Sequence, residues 1–253
     1  MAKKITSVNN PTILEFSKLS NPKIRFLTGL FSVEGEKPLD DIIQSETAIR
    51  DIFVTESYDK IDTLPKDKVT VVTEPVMKKL SSSDTPPKVL TVAFQRSYDI
   101  SEFVDCSRLL LLDGISDPGN MGTLIRTAVA FGFEGILLHG NCVDIYNQKV
   151  IRSAAGNFFK IPVIKVEKAD ITKNFNEFEF YMTDLHSDKI FDADKLSISS
   201  KSVLVLGSEA NGISDEILEI THKNVKIPTQ NVESLNVATA GAILMYEFSK
   251  QMK

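Results

Sequence analysis

Two uninterrupted apolar runs, Leu109 to Leu112 and Val203 to Leu206, stand out in a chain whose apolar positions otherwise alternate or recur at helical spacing. Such runs predict strands of a parallel sheet covered on both faces. Further strands are predicted at Gly135 to His139, Ile161 to Val166, Phe178 to Thr183 and Val225 to Ile227, the last ending at Pro228. Upstream, helices are predicted at Pro11 to Leu19, Asn21 to Leu30, Lys37 to Gln44 and Glu74 to Leu80. Strands are predicted there at Phe31 to Gly35, Ile49 to Val54, Val69 to Val72 and Lys88 to Phe94, the last after the breaker Pro86-Pro87. Residues 1–96 thus read as a small α/β unit, residues 97–107 as a linker without clear period, and residues 108–253 as a larger α/β unit. The chain has no internal repeat and no low-complexity tract.

Ligands of parallel sheets bind beyond the carboxyl ends of the strands, so the segments that follow the strands matter most. Asp113 to Arg126 reads DGISDPGNMGTLIR. Asp117-Pro118-Gly119 predicts a turn, Gly122 a close approach, and a helix runs from Thr123 to a stop at Gly132. That places Asn120 in a loop and Arg126 about one turn into the helix. By itself the segment is equally a polar turn with a solvated Arg and the rim of a site. Val203 to Ser214, VLVLGSEANGIS, is a strand ending at Gly207, with Glu209 in a loop whose Asn211-Gly212 favours positive φ. Val225 to Phe248 passes from a short strand through Pro228 and a polar loop containing Ser234, Leu235 and Asn236. A helix rich in Ala and Gly follows, capped by Ser234 or Asn236 and able to approach a neighbour closely.

Length and composition narrow the classes. At 253 residues and 42% apolar the chain can bury a proper core. The formal net charge of -5 counts against general affinity for nucleic acid. Residues 1–30 nevertheless hold five bases, Lys3, Lys4, Lys18, Lys23 and Arg25, against one acid, Glu15. They can form a local polyanion site or an ordinary solvated face. The N-terminal residues lack the apolar core of a signal peptide, and no run approaches the roughly 20 apolar residues that span a bilayer. Cys106 and Cys142 lack metal-ligand spacing and read as reduced thiols of a cytoplasmic protein. His139, His186 and His222 form no metal motif. Neither G-x-x-x-x-G-K-[ST] nor G-x-G-x-x-G is present, and Gly114 to Gly119 is one residue too long for a G-x-S-x-G elbow.

Taken together, DPGNMGTLIR, LGSEANG and KIPTQNVESLNVATAGAILMYE resemble, in order and spacing, the three motifs of the SpoU (TrmH-like) branch of the SPOUT RNA methyltransferases. The likeness covers about residues 108–253, and QKVIRSAAGNFFKIPV is similar to the family's connecting segment. Residues 1–96, through FSVEGEKPLDDII and SDTPPKVLTVAF, resemble the L30e-like substrate-binding domain that often precedes it. The resemblance implies a parallel-sheet SPOUT domain with a deep trefoil knot, S-adenosylmethionine as cofactor, no metal, and a homodimer. It implies that Gly207, Ile227 and Leu235 hold the cofactor and that Asn120, Arg126, Glu209, Ser234 and Asn236 are catalytic. It assigns Lys3, Lys4, Lys18, Lys23 and Arg25 to RNA binding. The implied reaction is methylation of a ribose 2′-hydroxyl, in ribosomal rather than transfer RNA. Arg126 is the family's usual candidate for handling the hydroxyl proton, yet a guanidinium with pKa above about 12 is better suited to anchoring phosphate or stabilising alkoxide charge. The competing readings are a transfer RNA ribose methyltransferase, a base methyltransferase of the same fold, and a non-catalytic RNA-binding or assembly factor.

Overall fold

The computed structural model describes residues 3–183, 190–192, 197–232 and 234–251; His186 lies outside them. Two compact units are present, Met1–Arg96 with Tyr146–Ile151, and Ser97–Ile145 with Arg152–Lys253.

The first unit is a five-stranded mixed sheet in the order β1-β4-β3-β5-β2, built from β1 (Lys3–Ile5), β2 (Leu30–Glu34), β3 (Ile49–Thr55), β4 (Val69–Val72) and β5 (Val89–Phe94). Strand alternation sends Phe53 to one face and Ile52 and Val54 to the other. Phe53 packs with Ile13 and Phe16 of α1 (Pro11–Phe16) and Val76 and Met77 of α4 (Glu74–Leu80). Ile52 and Val54 pack with Leu39 of α3 (Glu36–Gln44). Tyr146–Ile151 is folded into this unit: the Tyr146 ring lies 4.7 Å from that of Phe31, its hydroxyl accepts from the Arg96 backbone N–H at 2.7 Å, and the Gln148 amide reaches Ser32 at 3.1 Å.

Strand β1 went unseen in the sequence because only three residues form it. It pairs in parallel with β4 at the sheet edge, Lys3 opposite Thr70 and Lys4 opposite Val71. Exposed lysines on an edge strand also discourage pairing with another chain. Helix α2 (Pro22–Thr28) is capped by Asn21 and stopped by Gly29 at φ 64°.

The second unit is a seven-stranded parallel sheet in the order β10-β12-β9-β11-β6-β7-β8. Its strands are β6 (Arg108–Asp113), β7 (Gly135–His139), β8 (Val163–Lys165), β9 (Glu179–Met182), β10 (Ile190–Asp192), β11 (Ser202–Gly207) and β12 (His222–Lys226). Every residue of β6 and β11, the two apolar runs, is buried. Leu109, Leu111, Val203 and Val205 face Phe103, Ile171 and Phe175. Phe103 belongs to a turn of 3-10 helix, Ile100–Phe103, closed by a capping box between Asp99 and Glu102, so the segment 97–107 is folded against the core. On the opposite face, α5 (Pro118–Ala130) packs beside α9 (Val237–Ser249), from which α6 (Gln148–Ala154), α7 (Lys168–Asn174) and α8 (Asp215–Leu218) separate it along the chain. A Cβ on Gly241 of α9 would stand 2.5 Å from Leu124 Cδ2 and 2.8 Å from Leu206 Cδ1, which is the close approach expected of its small residues.

Gly207 has even less room than Gly241. A Cβ there would lie 2.2 Å from the carbonyl carbon of Gly212, because the chain folds back on itself through paired 2.9 Å hydrogen bonds between Ser208 and Gly212. Gly207→Ala is therefore expected to displace the 208–212 loop or lower stability by about 1–3 kcal/mol. Thermal unfolding checks this, and an unchanged Tm would mean that the loop opens freely.

Candidate functional site

Three loops leave neighbouring strand ends. Asp113 closes β6, Gly207 lies opposite it on β11 and His139 opposite it on β7. Buried Asp113 ties the three together. Its Oδ1 accepts from His139 Nδ1 at 2.9 Å, and its Oδ2 accepts from the backbone N–H of Ser214 at 2.7 Å. The second bond anchors the far end of the loop that carries Glu209. His139 Nε2 is 3.8 Å from Glu216 of α8 (Asp215–Leu218). Asp113 stands at the start of the first motif, and its signal in the sequence is a carboxylate at the carboxyl end of a parallel strand.

Helix α5 begins at Pro118, five residues earlier than Thr123. Asp117 is its N-cap, accepting from the Asn120 backbone N–H at 2.8 Å, and Pro118 occupies the first helical position. An Asp-Pro pair can open a helix as readily as make a turn, since Asp satisfies an orphan N–H and Pro has none to waste. Asn120 is thus in the first helical turn, not in a loop. Arg126 is more than two turns into the helix.

Asn120 Nδ2 donates to Glu209 Oε1, and Asn120 Oδ1 accepts from Asn236 Nδ2 at 3.1 Å. Asn236 is the N-cap of α9, with its Oδ1 taking the backbone N–H groups of Ala238 and Thr239 at 3.0 and 3.3 Å. Three predicted residues, 116 positions apart at the extremes, therefore form one relay. Beside it lies a cavity of about 500 Å³. Gly207, Ile227 and Leu235, the three residues expected to hold the cofactor, line it, as do Glu209 and Ser234. Leu206, Val225 and Leu244 supply apolar wall, and among the described residues Asp192, Glu209 and Lys226 are the charged ones of the lining. Asp192 was missed because β10 has only three residues.

Arg126 does not join the relay. Six residues of α-helix place it about 120° around α5 and about 9 Å along from Asn120, and it is exposed there. The basic cluster near the N-terminus is also reshaped. Arg25 is only 3% exposed, and its guanidinium donates to the carbonyls of Leu19 at 2.7 Å and Ser20 at 3.0 Å. Its charge is spent inside the fold, so it does not offer phosphate a surface contact, contrary to the sequence expectation. Lys4 pairs with Glu56, while Lys3, Lys18 and Lys23 are exposed. Adjacent residues of a strand point to opposite sides, so Lys3 and Lys4 do not share one face.

Burial raises both thiols, Cys106 to about 11 with help from Glu134 and Asp105, which leaves neither as a ready nucleophile. Among the described residues no group of three His, Cys, Asp or Glu side chains is placed to hold a metal ion, and no helix is long and apolar enough to cross a membrane.

Residues 107–246 match the family model of the SpoU rRNA Methylase family, and residues 10–91 match that of the MRM3-like substrate binding domain. Over 252 residues the chain is 29% identical to the 23S rRNA (guanosine(2553)-2'-O)-methyltransferase RlmP of Bacillus subtilis (strain 168), covering 96% of this chain and 98% of that protein. It is 25% identical to a 23S rRNA (uridine(2479)-2'-O)-methyltransferase of Streptomyces viridochromogenes, covering 99% of this chain and 93% of that one. The crystal structure of an rRNA methyltransferase from Sinorhizobium meliloti superposes with a TM-score of 0.90 at 26% identity, covering 100% of this chain and 99% of the other. An AdoMet-bound rRNA methyltransferase structure from the same organism gives 0.88 at 25% identity, with 100% and 99% covered. With more than half of its length matched by that family model and its three motifs gathered at one end of the parallel sheet, the chain belongs to the SpoU rRNA methylase family.

Proposed function

We propose that this protein is a cytoplasmic S-adenosylmethionine-dependent methyltransferase acting on a ribose 2′-hydroxyl of ribosomal RNA. The observation that carries the proposal is the relay from Asn236 through Asn120 to Glu209 beside the 500 Å³ cavity. The cavity suits the cofactor chemically. Leu206, Val225, Ile227, Leu235 and Leu244 give an adenine ring apolar contact. Among the described residues, two carboxylates and one ammonium leave the lining one negative charge in excess, complementary to a ligand bearing a sulfonium, an ammonium and a carboxylate. When bound, that ligand supplies a methyl group already activated by the sulfonium.

The chain's own work is then placement and charge. Glu209, held by Asn120, sits at the cavity as a hydrogen-bond acceptor for a ribose hydroxyl or for the cofactor's positive end. Ser234 offers a hydroxyl from the facing loop, and Gly207, Ile227 and Leu235 present backbone groups. Arg126 anchors the phosphate next to the target ribose and stabilises developing alkoxide charge. Its position away from Asn120 favours a homodimer in which Arg126 serves the partner's site. The apolar face of α9 supports this: Ile243 and Tyr246 are 36% and 49% exposed, and the Tyr246 ring meets Phe131 at 5.7 Å. The proposal extends to a trefoil knot around the cofactor pocket and to the first unit, with Lys3, Lys4, Lys18 and Lys23, as the RNA-binding domain.

Purified protein is expected to transfer labelled methyl from S-adenosylmethionine to ribosomal RNA and to leave nuclease-resistant dinucleotides. Label recovered on a base would indicate base methylation, and absence of cofactor binding by calorimetry would indicate a non-catalytic RNA-binding factor. Arg126→Ala is expected to abolish turnover with the Tm retained, whereas full turnover would remove Arg126 from the mechanism. Mixing inactive Arg126→Ala and Asn120→Ala chains is expected to restore part of the activity, because a mixed dimer contains one site with both residues intact. Asn236→Asp keeps the helix cap but sets a carboxylate oxygen against Asn120 Oδ1, so that the Asn120 amide must turn away from Glu209 at this solvent-exposed site. Turnover should fall about tenfold or more with little change in Tm; equal losses of both would make the residue a cap only. Neutralising Lys3, Lys4, Lys18 and Lys23 together should weaken RNA binding and flatten its salt dependence, and an unchanged slope would place the phosphate contacts elsewhere.

A further inference from the structure

Helix α2 is a rigid piece of the first unit. Asn21 Oδ1 caps its start by accepting from the Lys23 N–H at 2.9 Å, and left-handed Gly29 ends it. Its inner side is held by the buried Arg25 guanidinium and by Gln95 Nε2, which donates to the Arg25 carbonyl at 3.1 Å. On the outer side, Phe26 is 84% exposed and Leu27 67%, the two most exposed large apolar side chains among the described residues. A fixed helix that holds an aromatic ring out in water is unusual for a surface without a partner.

What surrounds the ring identifies the partner. Lys23 lies one turn before Phe26 and Leu27, on the same helical face, and is exposed, as is Lys18. Residues 16–29 include no Asp or Glu. An exposed aromatic and an aliphatic side chain on a segment that carries cations and no anion fit a nucleic-acid strand, whose bases stack on the ring while its phosphates meet the ammonium groups. Phe26 and Leu27 alone fall short of the roughly 800 Å² that a stable protein interface takes from each side, whereas one ring of about 150–250 Å² is enough for a base to stack on.

We infer that Lys23, Phe26 and Leu27 form a stacking platform for unpaired nucleotides of the RNA substrate, so that the first unit selects a loop or bulge rather than a duplex. The inference rests on the assignment of RNA as substrate and adds the class of RNA structure and the residues that select it.

The test compares the full-length protein with the Phe26→Ala/Leu27→Ala pair, Phe26→Trp and Lys23→Gln, using an unstructured RNA oligonucleotide and a duplex of equal length. The alanine pair is expected to lose at least about fivefold in affinity for the unpaired RNA, with duplex binding and salt slope unchanged, whereas Phe26→Trp is expected to keep the wild-type affinity. Lys23→Gln is expected to lower both affinity and salt slope. On ribosomal RNA the alanine pair should raise KM and leave kcat and cofactor affinity as they were. Unchanged affinity for unpaired RNA, an equal loss on the duplex, or conversion of a dimer to monomers with RNA binding intact would each overturn the platform. Failure of the wild-type protein to bind cofactor or transfer methyl would overturn the proposed reaction and leave this comparison readable through binding alone.

Discussion

One side-chain amide sets the orientation of the site. Asn236 caps α9 with its carbonyl oxygen, taking two backbone N–H groups that a helix start leaves without partners. With Oδ1 committed, its Nδ2 must point outward, and Asn120 must answer with Oδ1. The Asn120 Nδ2 is then the group left to face the Glu209 carboxylate. No member of the relay can flip its amide without setting two acceptors or two donors against each other. An N-cap is worth about 1 kcal/mol to a helix, and here the same bond dictates how a carboxylate is presented to the cavity. Forming the last helix and arming the site are one event.

The sheet provides the second constraint. Parallel strands start their loops at one edge, and β6 lies between β11 and β7. Asp113 exploits this by holding β7 through His139 and the end of the Glu209 loop through Ser214. Gly207 lets the loop fold back tightly enough for Ser214 to come within reach. Placement of Glu209 therefore depends on a buried carboxylate and a missing Cβ that never touch it.

Much of this was legible in the chain, and the exceptions have physical causes. The all-apolar runs marked the central strands, because only strands covered on both faces avoid alternation. The small residues of α9 announced close packing, which Gly241 makes against Leu124 and Leu206. Asn120, Glu209 and Asn236 were visible as polar residues after strands, but their mutual bonding depends on distances that span most of the second unit. Asp117-Pro118 was read as a turn although its chemistry serves a helix start equally well. Arg25 was misread because composition counts a charge without knowing where the side chain is held; three residues of strand in β1 and in β10 are too short for any period to register. Arg126 carried the right residue type at the right spacing from Asn120, yet six residues of helix separate rather than join them.

The segment Tyr146–Ile151 has a bearing on how such proteins diversify. It lies in the sequence well beyond Arg96, yet it completes the packing around Phe31 and supplies Gln148 to Ser32. A first unit cut out as one continuous stretch would lose a ring contact and a side-chain bond from its own interior. The first unit is consequently not a cassette that recombination can exchange at a single junction. A swap that respects the packing must also import the six-residue splice, which binds the inheritance of the two halves together and favours change by drift within each over wholesale replacement.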